Sequence, residues 1–320
     1  MRKALIIAVL MLPIYSIAQD KNWQILQDAI DGRDPASITE LDLGRKGLTA
    51  LPSEITELQT LTTLVLQDNH LVALPPEIGQ LKNLTRLYLS GNNLSSLPTE
   101  IGELQNLTFL NVEENKFTTF PLELARLQNL NTLGLGGNEL TTLPPEIGQL
   151  INLSHLHLWG NNLNMLPSEI GELKNLIVLG LSENNLTSLP PEIGQLQKLD
   201  TLFLTSNQLP TLPSEIGQLK RLTMLVLWKN QLTALPSTIG EMQGLLTLML
   251  EDNQLSALPP EIGQLQQLTE LHLKKNNLTE LPKEIEQLEN LGYLDVGKND
   301  IPKAVRTDID NRLPNCVIEW

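Results

Sequence analysis

The sequence predicts an α/β solenoid, a pile of about twelve short coils with one strand per coil, and three observations predict it. Asparagine recurs every 23 residues, at Asn69, Asn92, Asn115, Asn138, Asn161, Asn184, Asn207, Asn230, Asn253, Asn276 and Asn299. A Leu-x-Leu pair precedes almost every one, as in Leu87-Tyr88-Leu89-Ser90-Gly91-Asn92. Proline follows at plus six, from Pro75 to Pro282, and Pro52 carries that column one unit earlier. The first unit, Leu41 to Lys46, keeps the frame with Lys46 in place of asparagine. A fixed period without insertions is the mark of a repeat architecture.

Each segment of the unit follows from its residue types. Alternating leucines make a short strand with one apolar face and one variable face. The asparagine amide then offers donors and an acceptor to backbone groups in its own coil and in the neighbouring one. The next stretch, Leu74-Pro75-Pro76-Glu77-Ile78-Gly79, opens a short helical turn, with proline expected at its first position and glutamate near the positive end of its dipole. Glycine in the same column, from Gly79 to Gly263, is expected to break the turn or to let coils approach closely. One unit cannot bury its own leucines, so the units must stack.

The asparagine frame and the Pro-x-Glu-Ile-Gly back segment resemble the leucine-rich repeat family, in its 23-residue bacterial-type variety, from about Ile38 to Ile301. The resemblance implies an arc or horseshoe with a parallel β-sheet on its concave side and short helical segments on its convex side. It also implies a ligand-binding module acting at a cell or host surface.

The ends divide as follows. Residues 1–18 read as a signal peptide: Met1-Arg2-Lys3 is basic, Ala4 to Tyr15 is apolar, and Ser16-Ile17-Ala18 ends in small residues before Gln19. Cleavage near Ala18 predicts a secreted, periplasmic or cell-surface protein without a membrane span. Residues 19–37 read as an N-terminal cap, with a helix from about Asp20 to Asp31 whose Trp23, Leu26 and Ile30 share one face. Residues 38–301 form the array. Residues 302–320 read as a C-terminal cap, a helix from Ala304 to Arg312 followed by a strand at Cys316-Val317-Ile318. The single cysteine, Cys316, reads as a small buried apolar residue, with pairing between chains as the alternative.

Composition narrows the function. A formal charge of -15 argues against nucleic acid, which needs a basic face. Much of the acid belongs to the back-segment glutamates, a solvated column that Thr238 interrupts. The variable strand positions face the solvent on the inner sheet and are free of folding duties. They carry Tyr88, Phe109, Trp159, Phe203, Trp228 and Tyr293, together with His155, His157 and His272, whereas Phe117 and Phe120 replace core leucines. Phe203, Val226 and Met249 fall in one column of three successive units, with Met224 and Trp228 beside them, which predicts an apolar anchor strip for a protein ligand. A second cluster is His155, His157 and Trp159, between notches at Gly134 and Gly180.

Other chemistries find less support. His155 and His157 lie two apart on one strand face, yet a third ligand is wanting, since His272 is five units away. No metal is expected, and no cofactor, phosphate-binding loop or catalytic triad can be picked out. The six Asn-x-Ser/Thr sequons, at Asn83, Asn93, Asn106, Asn152, Asn185 and Asn277, follow from the repeat consensus itself. The expected role is therefore non-catalytic protein binding. Glycan binding by stacked aromatics is one alternative, and an intracellular scaffold similar to the Ras-binding leucine-rich repeat proteins is another.

Overall fold

The structure, a computed structural model, describes residues 17–320 apart from residue 31, with side chains described from Lys21 onward. The expected signal peptide lies outside the described residues as far as Ser16. Thirteen three-residue strands form one sheet in strict chain order. They are β1 (Glu40–Asp42), β2 (Thr63–Val65), β3 (Arg86–Tyr88), β4 (Phe109–Asn111), β5 (Thr132–Gly134) and β6 (His155–His157). β7 (Val178–Gly180), β8 (Thr201–Phe203), β9 (Met224–Val226), β10 (Thr247–Met249), β11 (Glu270–His272), β12 (Tyr293–Asp295) and β13 (Val317–Glu319) complete it. Every pair is parallel, and within the array the register advances by one period, as in Leu41↔Leu64 and Leu202↔Leu225. The thirteenth strand comes from the C-terminal cap, behind helix α2 (Lys303–Arg312), and pairs as Leu294↔Ile318.

The core is a column of leucines shared between coils. In one coil Leu156, Leu158, Leu163, Ile170, Leu173 and Leu176 are all fully buried. Burying each such side chain contributes about 1.5–3 kcal/mol, and only the flanking coils supply the cover. Phe117 and Phe120 occupy leucine positions in that core. The back of most coils is a single 3-10 turn, such as Pro76–Gln80 or Ser168–Glu172.

The proline column differs from the expectation. Pro75 and its equivalents stand one residue before the turn, extended at φ -70° and ψ 145°, and the following residue takes the first helical position. The extended geometry suits the sharp entry from the leucine that precedes it. Glycine at Gly79 does not break the turn, because it lies inside it. Its purpose is close approach: a Cβ there would stand 2.5 Å from the Glu100 carbonyl oxygen of the next coil.

The asparagine column closes the coils. Asn161 donates to the Leu158 carbonyl of its own coil and to the Leu135 carbonyl of the preceding one, and its Oδ1 accepts from Leu140 N. The same three bonds recur along the column, for example at Asn92 and Asn253. The residue before the asparagine column turns left-handed in all twelve units, from Arg45 (before Lys46) at φ 57° to Lys298 at φ 57°, which brings the asparagine inward in eleven of them, and only Gly91, Gly137 and Gly160 are glycine there. Each of the nine others carries a backbone cost of order 1 kcal/mol.

Two further ladders add to this. Hydroxyls of Thr62, Thr85, Thr108 and Ser154 each donate to the carbonyl 23 residues earlier. Asn83, Asn106 and Asn152 donate their amides to the Gln59, Lys82 and Gln128 carbonyls. Three of the six sequon nitrogens are thus already engaged between coils.

At the N-terminus α1 (Ile17–Ile30) caps the first coil. Its buried contacts are Leu26 and Asn22, whose amide exchanges two hydrogen bonds with Thr49, while Trp23 is exposed at 37%. Trp23 is therefore not part of the seal: Asn22 and Leu26, four apart, define the buried face, and the bulkier ring falls at its edge. Cys316 is half-buried and unpaired, and burial pushes its thiol up to about 11.

Replacing Asn161 by Ala leaves the Leu140 N–H without a partner and takes one of two amide donors from each of the Leu135 and Leu158 carbonyls, which Asn138 and Asn184 still serve, at a cost of about 1–3 kcal/mol. Urea unfolding should show that loss in full for Asn161→Ala. A smaller loss is expected for Asn299→Ala, whose half-buried site water reaches more easily. The exposed Asn164→Ala should sit within about 0.5 kcal/mol of the parent.

Candidate functional site

The strand side chains that do not enter the core form the inner face, and the structure gathers the expected residues there into four groups. Tyr88 on β3 and Phe109 on β4 stack with ring centroids 4.7 Å apart. His155 and His157 on β6 lie with their rings 6.4 Å apart, and Ser154 Oγ is 2.7 Å from His155 Nδ1. Phe203, Val226 and Met249 are direct register partners across β8, β9 and β10, and Met224 pairs with Thr201 and Thr247. His272 and Tyr293 on β11 and β12 meet at 5.1 Å.

The apolar group departs from the expectation at one residue. Val226 is only 5% exposed, because the short side chain sits between the larger Phe203 and Met249. It forms a floor and is not an anchor. Trp228, just past β9, is exposed at 38%, and Lys229 Nζ lies 4.8 Å from its ring centroid.

The histidine group holds more than the sequence shows. Trp159 lies flat across the preceding coil, so that a Cβ on Gly136 would collide with its indole. Its Nε1 reaches Glu113 Oε1, 3.2 Å away and two coils earlier. Asn111 Nδ2 donates to the other oxygen of Glu113 at 3.2 Å. Beside them opens a hollow of about 290 Å³ lined by Phe109, Asn111, Glu113, Thr132, Gly134 and His157. Burial lowers the pKa of His157, and neighbouring Glu113 opposes that shift only in part. A readable signal existed: Glu113, Gly136 and Trp159 occupy one column at successive 23-residue steps, and a missing side chain between two large ones lets them touch.

At the C-terminal end His272 lies between carboxylates, Nδ1 3.5 Å from Glu251 Oε1 and Nε2 3.5 Å from Glu270 Oε2. Burial raises the pKa of Glu251 against the pull of His272 and Lys274. Asp295 is buried and holds Gly297 N and Lys274 Nζ. Among the described residues no three His, Cys, Asp or Glu side chains are placed to share a metal ion. No described helix is long and apolar enough to cross a membrane.

These features define a repeat solenoid that presents a side-chain mosaic on its inner sheet, and comparison with known proteins gives its family. The model of a leucine-rich repeat region matches residues 39–132 and 178–250, and two further leucine-rich repeat models match 243–301 and 152–173. The chain belongs to the leucine-rich repeat family. Among curated proteins no sequence match is found. A leucine-rich repeat protein of Leptospira interrogans is similar at 36% identity and a TM-score of 0.62, over 92% of this chain and 98% of that one. The Arabidopsis receptor kinase HAESA, solved with the peptide hormone IDA and the co-receptor SERK1, is 26% identical with a TM-score of 0.70. That match covers 88% of this chain and 56% of the receptor chain. An internalin of Listeria monocytogenes, at 22% identity, 94% and 93% coverage and a TM-score of 0.68, shares the fold. The matched families are repeats, and none is catalytic.

His157 should titrate below the ordinary imidazole value of about 6.5 in an NMR pH series. An imidazole kept neutral by the fold contributes stability that is present above its unfolded pKa and is lost as pH falls toward its lowered folded value. His157→Gln should therefore lose less stability than the parent between about pH 7 and about pH 5.

Proposed function

We propose that the chain is a non-catalytic binding module that holds another protein against its concave face, exported from a bacterial cell and acting at a cell or host surface. The observation that carries the reading is the apolar group across β8 to β10. Phe203, Met224 and Met249 stand half-buried around the Val226 floor, and Trp228 is open to solvent. An inner sheet has no structural need for such a patch, and exposed apolar patches rimmed by polar residues mark interaction sites. Aromatic and methionine side chains are the types enriched in the centre of protein interfaces. The rim fits as well, with Lys229, Glu251 and Asp252 in the turns next to the patch. HAESA, with its peptide hormone, supports the reading by analogy of fold.

Capture from native surroundings tests the patch. Trp228→Ala and Phe203→Ala should each weaken recovery of a bound protein by ten-fold or more, the range of an interface hot spot, about 2 kcal/mol. Equal recovery by both variants removes the patch from the binding surface. Export is tested separately by N-terminal sequencing of native material: a first residue at Gln19 is expected, and a start at Met1 defeats it.

A further inference from the structure

The hollow beside His157 has a chemistry distinct from that of the apolar patch. From β4 to β8 the inner face carries Glu113, Glu114 and Glu183 in its turns and no lysine or arginine at any inward position. Among the described residues none of these three carboxylates takes part in an ion pair, although charges at either end of the arc do, as in Arg45 with Asp68 and Lys275 with Asp252. Glu113 is the one that lines the hollow.

Its carboxylate is also the best oriented. Trp159 Nε1 holds one oxygen and Asn111 Nδ2 the other. Two of about four acceptor sites are used, and the others remain for a donor. The floor is bare backbone at Gly134, where a Cβ would come within 3.1 Å of the Glu113 carboxylate carbon. Phe109 closes one wall, and His157 lines another. Because burial keeps the imidazole from charging, the hollow holds no cation of its own near neutral pH.

We propose that this hollow is a subsite for an arginine side chain of the protein partner, its guanidinium paired with Glu113 and its plane against the ring of Phe109. Arginine fits better than lysine here, because a planar fork both pairs with a carboxylate and stacks on a ring. The inference rests on the reading of the concave face as a binding surface and adds the chemistry of one contact.

The test needs no partner, so its outcome is separate from that of the capture experiment. N-acetylarginine amide is titrated into the full chain while the indole N–H signal of Trp159, assigned by its loss in Trp159→Phe, is followed by NMR. A saturating shift is expected, and N-acetylcitrulline amide, the neutral isostere, should produce none. Glu113→Gln and Gly134→Val should each reduce the affinity at least ten-fold with the urea midpoint little changed. The proposal is overturned by an equal response to the citrulline probe, by undiminished affinity in folded Glu113→Gln, or by the absence of a saturating shift. Successful partner capture alongside a silent titration removes only the arginine subsite.

Discussion

A coil in this protein has nowhere to put its own interior, and its strand and turn leave carbonyls and N–H groups pointing toward the axis of the stack. The asparagine amide resolves the second difficulty while the neighbouring leucines resolve the first. In each case a partner lies in the neighbouring coil, as with Asn161, which joins Leu158 of its own coil to Leu135 and Leu140 of the preceding one. The requirement that every coil satisfy its neighbour accounts for the absence of insertions. An extra residue would displace the amide from both sets of backbone groups, and an unsatisfied buried group costs about 1–3 kcal/mol. It also accounts for the left-handed residue before each asparagine, tolerated eight times in non-glycine residues because the bonds that follow over-determine it.

That constraint divides the sequence into two kinds of position. The inward leucines, the asparagines and the close-approach glycines belong to the stack. The residues between and just beyond the strand leucines point away from it, and their variety is therefore open to a ligand. Charge at these positions is not uniform. The central coils are acidic and unpaired, whereas the C-terminal coils combine carboxylates with lysines and a histidine, as at Glu251, His272, Lys274 and Asp295. A partner lying along the arc meets an aromatic pair, an acidic hollow, an apolar patch and a mixed-charge end in turn.

Much of the scaffold was legible because it repeats: a period of 23, seen eleven times, identifies strand, ladder and turn without any long-range reasoning. What the sequence does not make legible depends on relations between coils or on the exact phase of a turn. The proline column stands one residue before its expected place, since a helical-turn proline and an extended residue before a turn look alike in sequence. The spacing of Trp23, Leu26 and Ile30 fits one helical face, whereas the buried polar Asn22 gives no apolar signal. Val226 stands in the column of an anchor, yet its burial depends on the size of Phe203 and Met249 beside it. The Trp159–Glu113 contact spans 46 residues and exists only because Gly136 between them lacks a side chain.

The strict period has a geometric corollary for whatever lies against the arc. Strands stack at about 4.8 Å, so the hollow, whose lining centres on β5, and the patch centred on β9 are separated by four steps, roughly 19 Å. Loss of a whole unit between them would shorten that separation by one step, duplication would lengthen it by one, and either would leave every hydrogen-bond register intact. The scaffold thus works as a ruler with a single graduation, on which the spacing of contacts is set by counting coils and the chemistry of each contact by a few free side chains.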